Sequence, residues 1–349
     1  MGSEKNLSFG EGEKCKKLHP ESFDVCLYHF GCPDGIGGAF PFWRINRSRY
    51  EPTNPKVVRF DFRGVKHNEP YPEDLIRGKN VVIVDFSYKR DVIKEMCRKA
   101  TLVYILDHHE TARRELEGLE QELSNFGYIF DLDRSGAQIA FDWCYPDTPR
   151  PWFIEIIADR DLWKWEIPNS KEIGKALYYF DWYKWEKMEE LLNNLNNAPS
   201  LIKKFTEQGR ILLDIDNRDI SYAVGTSKLC EFQGHRIRLS TCPPSLRSEV
   251  GNATANLHDC EFAATWRYDV ETDQWWISLR GSKTCCIQLN QITEKFGGGG
   301  HSKACGFTIH GVDSNEWRRA DAKKRFKMAH GTIRDYFKLI STQNIYKNY

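Results

Sequence analysis

The chain has 349 residues, 40% hydrophobic and 13% aromatic, which excludes a disordered protein and leaves room for two domains with separate cores. Fifty Lys and Arg against 49 Asp and Glu give a net charge of +1, so no overall field demands a polyanionic partner. Eleven scattered cysteines read as reduced thiols, residues 1–20 lack the apolar core of a signal peptide, and no apolar run is long enough to span a membrane; the expected setting is the cytoplasm, or the nucleus.

Residues 1–20 read as a flexible tail. Val25-Cys26-Leu27-Tyr28 then begins a series of short apolar runs, with others near 57–62, at Val81-Val82-Ile83-Val84, at Leu102-Val103-Tyr104-Ile105-Leu106 and near 126–131. Such runs with β-branched content predict strands buried on both faces, the habit of a parallel sheet. Helical patterns at Tyr88–Ala100 and Glu110–Asn125 lie between them, and that alternation predicts βαβ units. Ser135-Gly136-Ala137-Gln138 predicts a capping box opening a helix through Trp143 that stops near Pro146. A helix-rich stretch covers roughly 151–215, and Pro199 opens an amphipathic connector helix over 199–218.

Beyond the connector the texture changes. Short strands at Tyr222–Phe232, His235–Thr241, Glu261–Tyr268, Trp275–Arg280 and Gly306–His310 alternate with helix-like stretches at 246–258 and 286–296. The predicted fold class is α/β: a mostly parallel sheet flanked by helices over 21–198, with a smaller α+β domain over 219–311 across a cleft. Residues 312–349 form a basic tail, with nine Lys/Arg against three Asp/Glu from 314 onward. A helix packed by Trp317, Phe326, Tyr336 and Phe337 is expected there; a nucleic-acid contact or an oligomer contact such as a homodimer is the alternative.

Three strand ends carry chemistry. His29, Cys32 and Asp34 follow the first run, Asp85 ends the run at 81–84, and Asp107-His108-His109 closes the run at 102–106. Each has an ordinary alternative: a hydrogen-bonded histidine, a turn at Asp34-Gly35, a helix-capping Asp85, a solvated His pair. Open α/β sheets bind ligands beyond the carboxyl ends of their strands, and these residues share that edge. Bridging carboxylates with imidazoles on both sides suit Mn²⁺, with Mg²⁺ the alternative, better than a structural zinc.

The ordered set His29-x-x-Cys32-Pro33-Asp34-Gly35, Asp85, Asp107-His108-His109 and Asp159-Arg160-Asp161-Leu162-Trp163 resembles the DHH phosphoesterase superfamily. Phe296-Gly297-Gly298-Gly299-Gly300-His301, followed by Ala304-Cys305-Gly306-Phe307, resembles the signature of the DHH-associated substrate-binding domain. Together the two signatures cover residues from about 24 to 310. The resemblance implies that residues 21–198 form the catalytic domain. It implies metal ligands at His29, Asp34, Asp85, His108 and an aspartate of the Asp159/Asp161 pair, with Asp85 as bridge. Asp161 is favoured because Trp165 follows four residues later; Asp159 stays open.

Asp107 is expected to orient His108, and His109 to meet the scissile phosphate. Cys32 stands where most members carry an acidic residue, so it is either a softer ligand or a buried turn residue, and one or two ions are expected. In the second domain Arg280 and the Gly298-Gly299-Gly300-His301 run are expected to grip phosphate, with Arg247, Ser248 and Asn252 as further candidates. The implied activity is direct, metal-assisted hydrolysis of a phosphodiester in a substrate short enough to lie between the two domains. The choice is 3′-to-5′ trimming of short oligoribonucleotides to 5′-mononucleotides. Cyclic dinucleotides, 3′,5′-bisphosphate nucleotides and a catalytically weak nucleotide- or RNA-binding role are the alternatives.

Overall fold

The structure is a computed structural model and describes residues 7–12, 15, 18–47, 60–66, 69–269, 274–310 and 337–339. Contacts divide the chain into two units, Met1–Leu213 and Asp214–Tyr349. In chain order unit one contains β1 (Leu7–Glu11), β2 (Val25–His29), α1 (Pro33–Asn46), β3 (Asp61–Val65), α2 (Glu73–Ile76), β4 (Asn80–Val84), α3 (Arg90–Lys99), β5 (Leu102–Asp107), α4 (Glu110–Leu116), α5 (Leu119–Glu122) and β6 (Phe126–Asp131). Helices α6 (Gly136–Cys144), α7 (Trp152–Asp161), α8 (Ser170–Tyr179) and α9 (Trp185–Asn193) follow, and α10 (Ala198–Thr226) runs on into unit two.

The six strands lie in the order β1-β6-β5-β4-β2-β3. Strands β2 to β6 pair in parallel, and only β1 is antiparallel. The expected apolar runs are the three central strands, and both faces are buried as their composition requires. Val25, Leu27, Val81, Ile83, Val103 and Ile105 face one core with α3. Cys26, Val82, Val84, Tyr104 and Leu106 face the other, with Phe42 of α1 and Ile139 of α6. A further apolar layer joins α1, α6 and α7 to α8, α9 and the start of α10. From β2 the chain goes outward to β3, then returns across β2 to β4 and proceeds to β5 and β6. The order therefore reverses between β2 and β4, the place where a doubly wound sheet opens a crevice at its carboxyl edge.

Two expectations need correction in this unit. Leu7–Glu11, assigned to a flexible tail, forms β1 against β6 in the register Leu7↔Asp131 to Glu11↔Gly127. That pairing uses main-chain groups while Leu7 and Phe9 stay exposed, so no buried apolar pattern announces it. The connector helix is longer than 199–218, ending at Thr226, and it takes in the residues expected to begin a strand at Tyr222.

Unit two holds β7 (Lys228–Phe232), β8 (His235–Thr241), α11 (Arg247–Ala255), β9 (Phe262–Asp269), β10 (Gln274–Arg280), α12 (Leu289–Glu294), β11 (Gly299–His301), β12 (Ala304–His310) and β13 (Lys338–Leu339). Its sheet order is β11-β12-β10-β9-β8-β7-β13. The inner apolar positions of these strands pack with Leu289 and Ile292 of α12 into one core. Of the basic tail, 312–336 and 340–349 lie outside the described residues; at 338–339 the chain adds a short strand to β7. Among the described residues no helix is long and apolar enough to cross a membrane.

Candidate metal centre

Parallel pairing puts the carboxyl ends of β2, β4 and β5 side by side, and each end releases a polar residue. His29 is the last residue of β2, Asp85 follows β4, and Asp107 is the last of β5, with His108 and His109 leading into α4. Asp85 has φ +64°, a left-handed conformation that Asp and Asn tolerate better than most residues. Its N–H donates to the Leu106 carbonyl at 3.0 Å, so β5 holds the turn in place.

Five elements supply one cluster. His108 Nε2 lies 3.2 Å from Asp85 Oδ1, 3.4 Å from Asp161 Oδ2 and 3.7 Å from Asp34 Oδ2. His29 Nδ1 lies 3.4 Å from Asp85 Oδ2. Asp34, in the first turn of α1, accepts N–H bonds from Gly136 at 2.6 Å and Ala137 at 3.0 Å, tying α1 to the start of α6. The expected Ser135–Gln138 capping box is formed in full and sets where α6 begins.

Asp34, Asp85 and His108 are each about 1% exposed. Two buried carboxylates with the half-buried Asp161 beside them repel one another unless positive charge joins them. Burial, then the charges of Asp85 and Asp161, raise the Asp34 carboxyl well above the usual range. Burial leads the causes that raise Asp161 as well. Burial also acts against ionised Asp85, yet the adjoining rings of His108 and His29 hold its carboxyl well below the usual range. For His108, burial favours the neutral ring, but the hydrogen bond to Asp85 and the charges of Asp161, Asp34 and Asp85 push it up to about 10. A cation at this point would offset the repulsion among these carboxylates.

The donor set fits a divalent ion. Asp34, His108 and Asp161 present ligand atoms all within 4.8 Å of one another, as do His29, Cys32 and Asp85, and as do Asp85, Asp107, His108 and His109. Asp85 Oδ2 is buried and has no protein hydrogen bond, and Asp107 Oδ2 is in the same position. A buried carboxylate oxygen left that way calls for a cation.

The two aspartates at the end of α7 part company. Asp161 joins the cluster. The Asp159 carboxylate instead accepts N–H bonds from Glu166 at 2.8 Å and Ile167 at 3.4 Å, fastening the loop that follows. Within that loop Trp163 and Trp165 both adopt positive φ, +56° and +57°, and their rings meet edge to face. Asp107 also differs from expectation. Its Oδ1 receives His109 Nδ1 at 2.7 Å and the His108 main-chain N–H at 2.7 Å, so it braces the His109 ring and not that of His108. The sequence reading missed Gly136, whose absent side chain lets α6 approach Asp85; a glycine directly after a capping serine was the available signal.

No family model matches the chain. It is 31% identical over 316 residues to Uncharacterized protein R106 of Acanthamoeba polyphaga mimivirus, covering 88% of this chain and 72% of R106. The chain belongs to the same family as R106. A solved DHH domain, PF0399, described as a member of the s1p family of ribosomal proteins, superposes with a TM-score of 0.51 at 15% identity, covering 92% of this chain and 88% of that one. The fold of the chain is that of this DHH domain. RecJ from Thermus thermophilus in complex with Mn²⁺ matches at a TM-score of 0.43 and 14% identity over 89% of this chain and 52% of that one.

Asp107-His108-His109 stands at the end of β5. In unit two, Arg280 closes β10, and its guanidinium donates to Ser248 Oγ on α11 at 3.0 Å and to the Leu279 carbonyl at 3.0 Å. Arg247 opens α11, and Asn252 lies one turn beyond Ser248. The glycine run is not an open loop: Gly299–His301 is the edge strand β11, in the register Gly299↔Gly306 to His301↔Ala304. Gly300 has φ +127°, and a Cβ there would lie 2.7 Å from the Ala304 carbonyl oxygen, so close strand approach accounts for that glycine. Arg280 and His301 both stand opposite Ala304, from the two flanking strands.

Proposed function

We propose that this chain is a metal-dependent phosphodiesterase that hydrolyses short oligonucleotides, trimming short RNA from its 3′ end to 5′-mononucleotides. The carrying observation is the buried cluster at the ends of β2, β4 and β5, where crowded carboxylates and imidazoles call for a cation. His29, Cys32 and Asp85 would hold one ion, and Asp34, Asp85, His108 and Asp161 another; Mn²⁺ or Mg²⁺ suits the oxygen-rich set. Divalent ions bound there supply an acidified water and positive charge against the phosphoryl oxygens.

The chain's own residues do the positioning. Asp107 fixes the His109 ring through Nδ1, and His109 then meets the phosphate as its charge develops. Asp34 locks α1 to α6, so the carboxylates keep their spacing. Hydrolysis is direct and needs no side-chain nucleophile. In unit two Arg280, steadied by Ser248, offers a planar fork for a phosphate group, with His301 and the Gly299–Gly300 main chain on the far side of β12 and Gly298 leading into them. Net charge near zero supports short substrates, since binders of long strands carry extended basic grooves. Eleven free cysteines support a reducing compartment, the cytoplasm or nucleus.

The test is a product assay with Mn²⁺ on short RNAs and DNAs, cyclic dinucleotides and 3′,5′-bisphosphate nucleotides. Mononucleotides released from the RNA 3′ end are expected. Turnover of only the small molecules would move the activity to them. Cys32 favours a second reading, a nucleotide binder with weakened catalysis, which predicts binding without cleavage of any of these substrates.

Two variants separate the aspartates of α7. Asp161→Asn should lower Mn²⁺ affinity, read by calorimetry, with the melting temperature of the metal-free chain little changed. Asp159→Ala should cost about 1–3 kcal/mol of stability, because two main-chain donors lose their acceptor. Arg280→Ala should raise KM about 10-fold or more while metal content stays the same, the loss of one charge-assisted phosphate contact. Equal metal loss in that variant would contradict this division of labour.

A further inference from the structure

The three ligands at the β2 end of the cluster are not of one chemical kind. His29 offers a ring nitrogen, Asp85 a carboxylate oxygen and Cys32 a sulfur, all within 4.8 Å of one another. Their placement follows from the fold: His29 ends β2, and Cys32, three positions later, is the residue from which α1 starts. Asp85 reaches the same point from the neighbouring strand, and its Oδ2, buried and without a protein hydrogen bond, lies 3.4 Å from His29 Nδ1. The other half of the cluster contains no sulfur: Asp34, His108 and Asp161 offer two carboxylates and one imidazole. Thiolate and imidazole select borderline or soft ions such as Zn²⁺ and Co²⁺, whereas carboxylate-rich sets suit Mn²⁺ and Mg²⁺.

We propose that the centre holds two unlike cations: a thiolate-bearing site of His29, Cys32 and Asp85 that takes a zinc-like ion, beside a carboxylate-rich site of Asp34, His108 and Asp161 that takes Mn²⁺ or Mg²⁺. Asp85 belongs to both. The inference rests on reading the cluster as a metal centre, and Cys32 is what makes its halves unequal. The sulfur then acts as a selector, keeping the hard ion out of one position while leaving it the other.

The experiment uses the full chain, reduced, stripped with chelator and titrated with Co²⁺ alone. A thiolate-to-cobalt charge-transfer band in the near ultraviolet is expected, saturating at one equivalent, bleached by Zn²⁺ and persisting in excess Mn²⁺. Cys32→Ser and Cys32→Asp should both lose the band with unchanged far-ultraviolet circular dichroism. The Cys32→Asp chain should also bind a second equivalent of Mn²⁺ where the original binds one. Asp161→Asn should keep the band, because its loss touches only the carboxylate-rich site. Absence of the band in the original chain, its survival in Cys32→Ser, or two equivalents of Mn²⁺ on the original would overturn the proposal. Diester cleavage measured on the same sample keeps the two ideas apart. Cleavage without the band removes the thiolate site and leaves the hydrolase; the band without cleavage does the reverse.

Discussion

Replacing Asp85 with asparagine is expected to abolish Mn²⁺-dependent diester cleavage, a fall of at least about 10²–10³-fold, while the chain stays folded. Asparagine is the informative choice because the position has φ +64°. Alanine there would add roughly 1–2 kcal/mol of backbone strain and mix two effects, whereas asparagine tolerates the left-handed region and keeps the shape. The carboxylate meets His108 through one oxygen and His29 through the other, so it is the one group shared by the two halves of the cluster. Neutralising it removes an attraction to both imidazoles but also a repulsion from Asp34 and Asp161, whose carboxyls are already raised. These changes oppose each other, and the metal-free melting temperature should move little. Saturating Mn²⁺ stabilises a binding chain by about 2.7 kcal/mol at a hundred times Kd, and that rise should vanish in the variant. Paired melts with and without Mn²⁺, beside the cleavage assay, decide the matter. A variant that keeps most of its activity and its Mn²⁺ response would take Asp85 out of the centre.

The outline of this site was legible in the sequence because a parallel sheet writes itself as apolar runs, and the polar residue ending each run lies at the same edge. Val81–Val84 followed by Asp85, and Leu102–Leu106 followed by Asp107, needed no further information to be placed together. The Ser135–Gln138 box was equally plain, being a local rule of hydrogen bonding. What stayed hidden depends on main-chain groups or on distance through space. Strand β1 pairs through its backbone and leaves Leu7 and Phe9 outside, while Ser8 and Gly10 turn inward, so no apolar side chain on its inner face reveals it. Asp159 and Asp161 look alike in sequence; only the return of the Glu166 and Ile167 N–H groups onto Asp159 separates them. Gly298-Gly299-Gly300 suggested a loop that grips phosphate, yet adjacent glycines also mark a strand pressed closely on its neighbour.

The second large effect is expected from one methyl group at Gly136. Helix propensity alone predicts that Gly136→Ala stabilises α6, by up to about 1 kcal/mol. Packing predicts the opposite. A Cβ at this position would lie 2.7 Å from Asp85 Cβ, 3.1 Å from Asp85 Cα and 3.0 Å from Asp34 Oδ2. None of these is the loose end of a flexible side chain. Asp85 is held by the main chain of β5, and Asp34 by the N–H groups of Gly136 and Ala137 themselves. Helix α6 cannot withdraw cheaply either, since Ala137, Ile139, Ala140 and Phe141 are all buried beneath it. The strain should therefore appear as overpacking, about 1–3 kcal/mol of lost stability. It should also appear as a displaced Asp85, and misplacement of about 1 Å at such a centre costs roughly 10²-fold in rate. Thermal melts of the metal-free chain and the cleavage rate with Mn²⁺ read the two consequences separately. An alanine variant that melts higher and cleaves normally would mean that α6 has room at its N-terminus. The close approach of Gly136 to Asp85 would then have no part in setting the site.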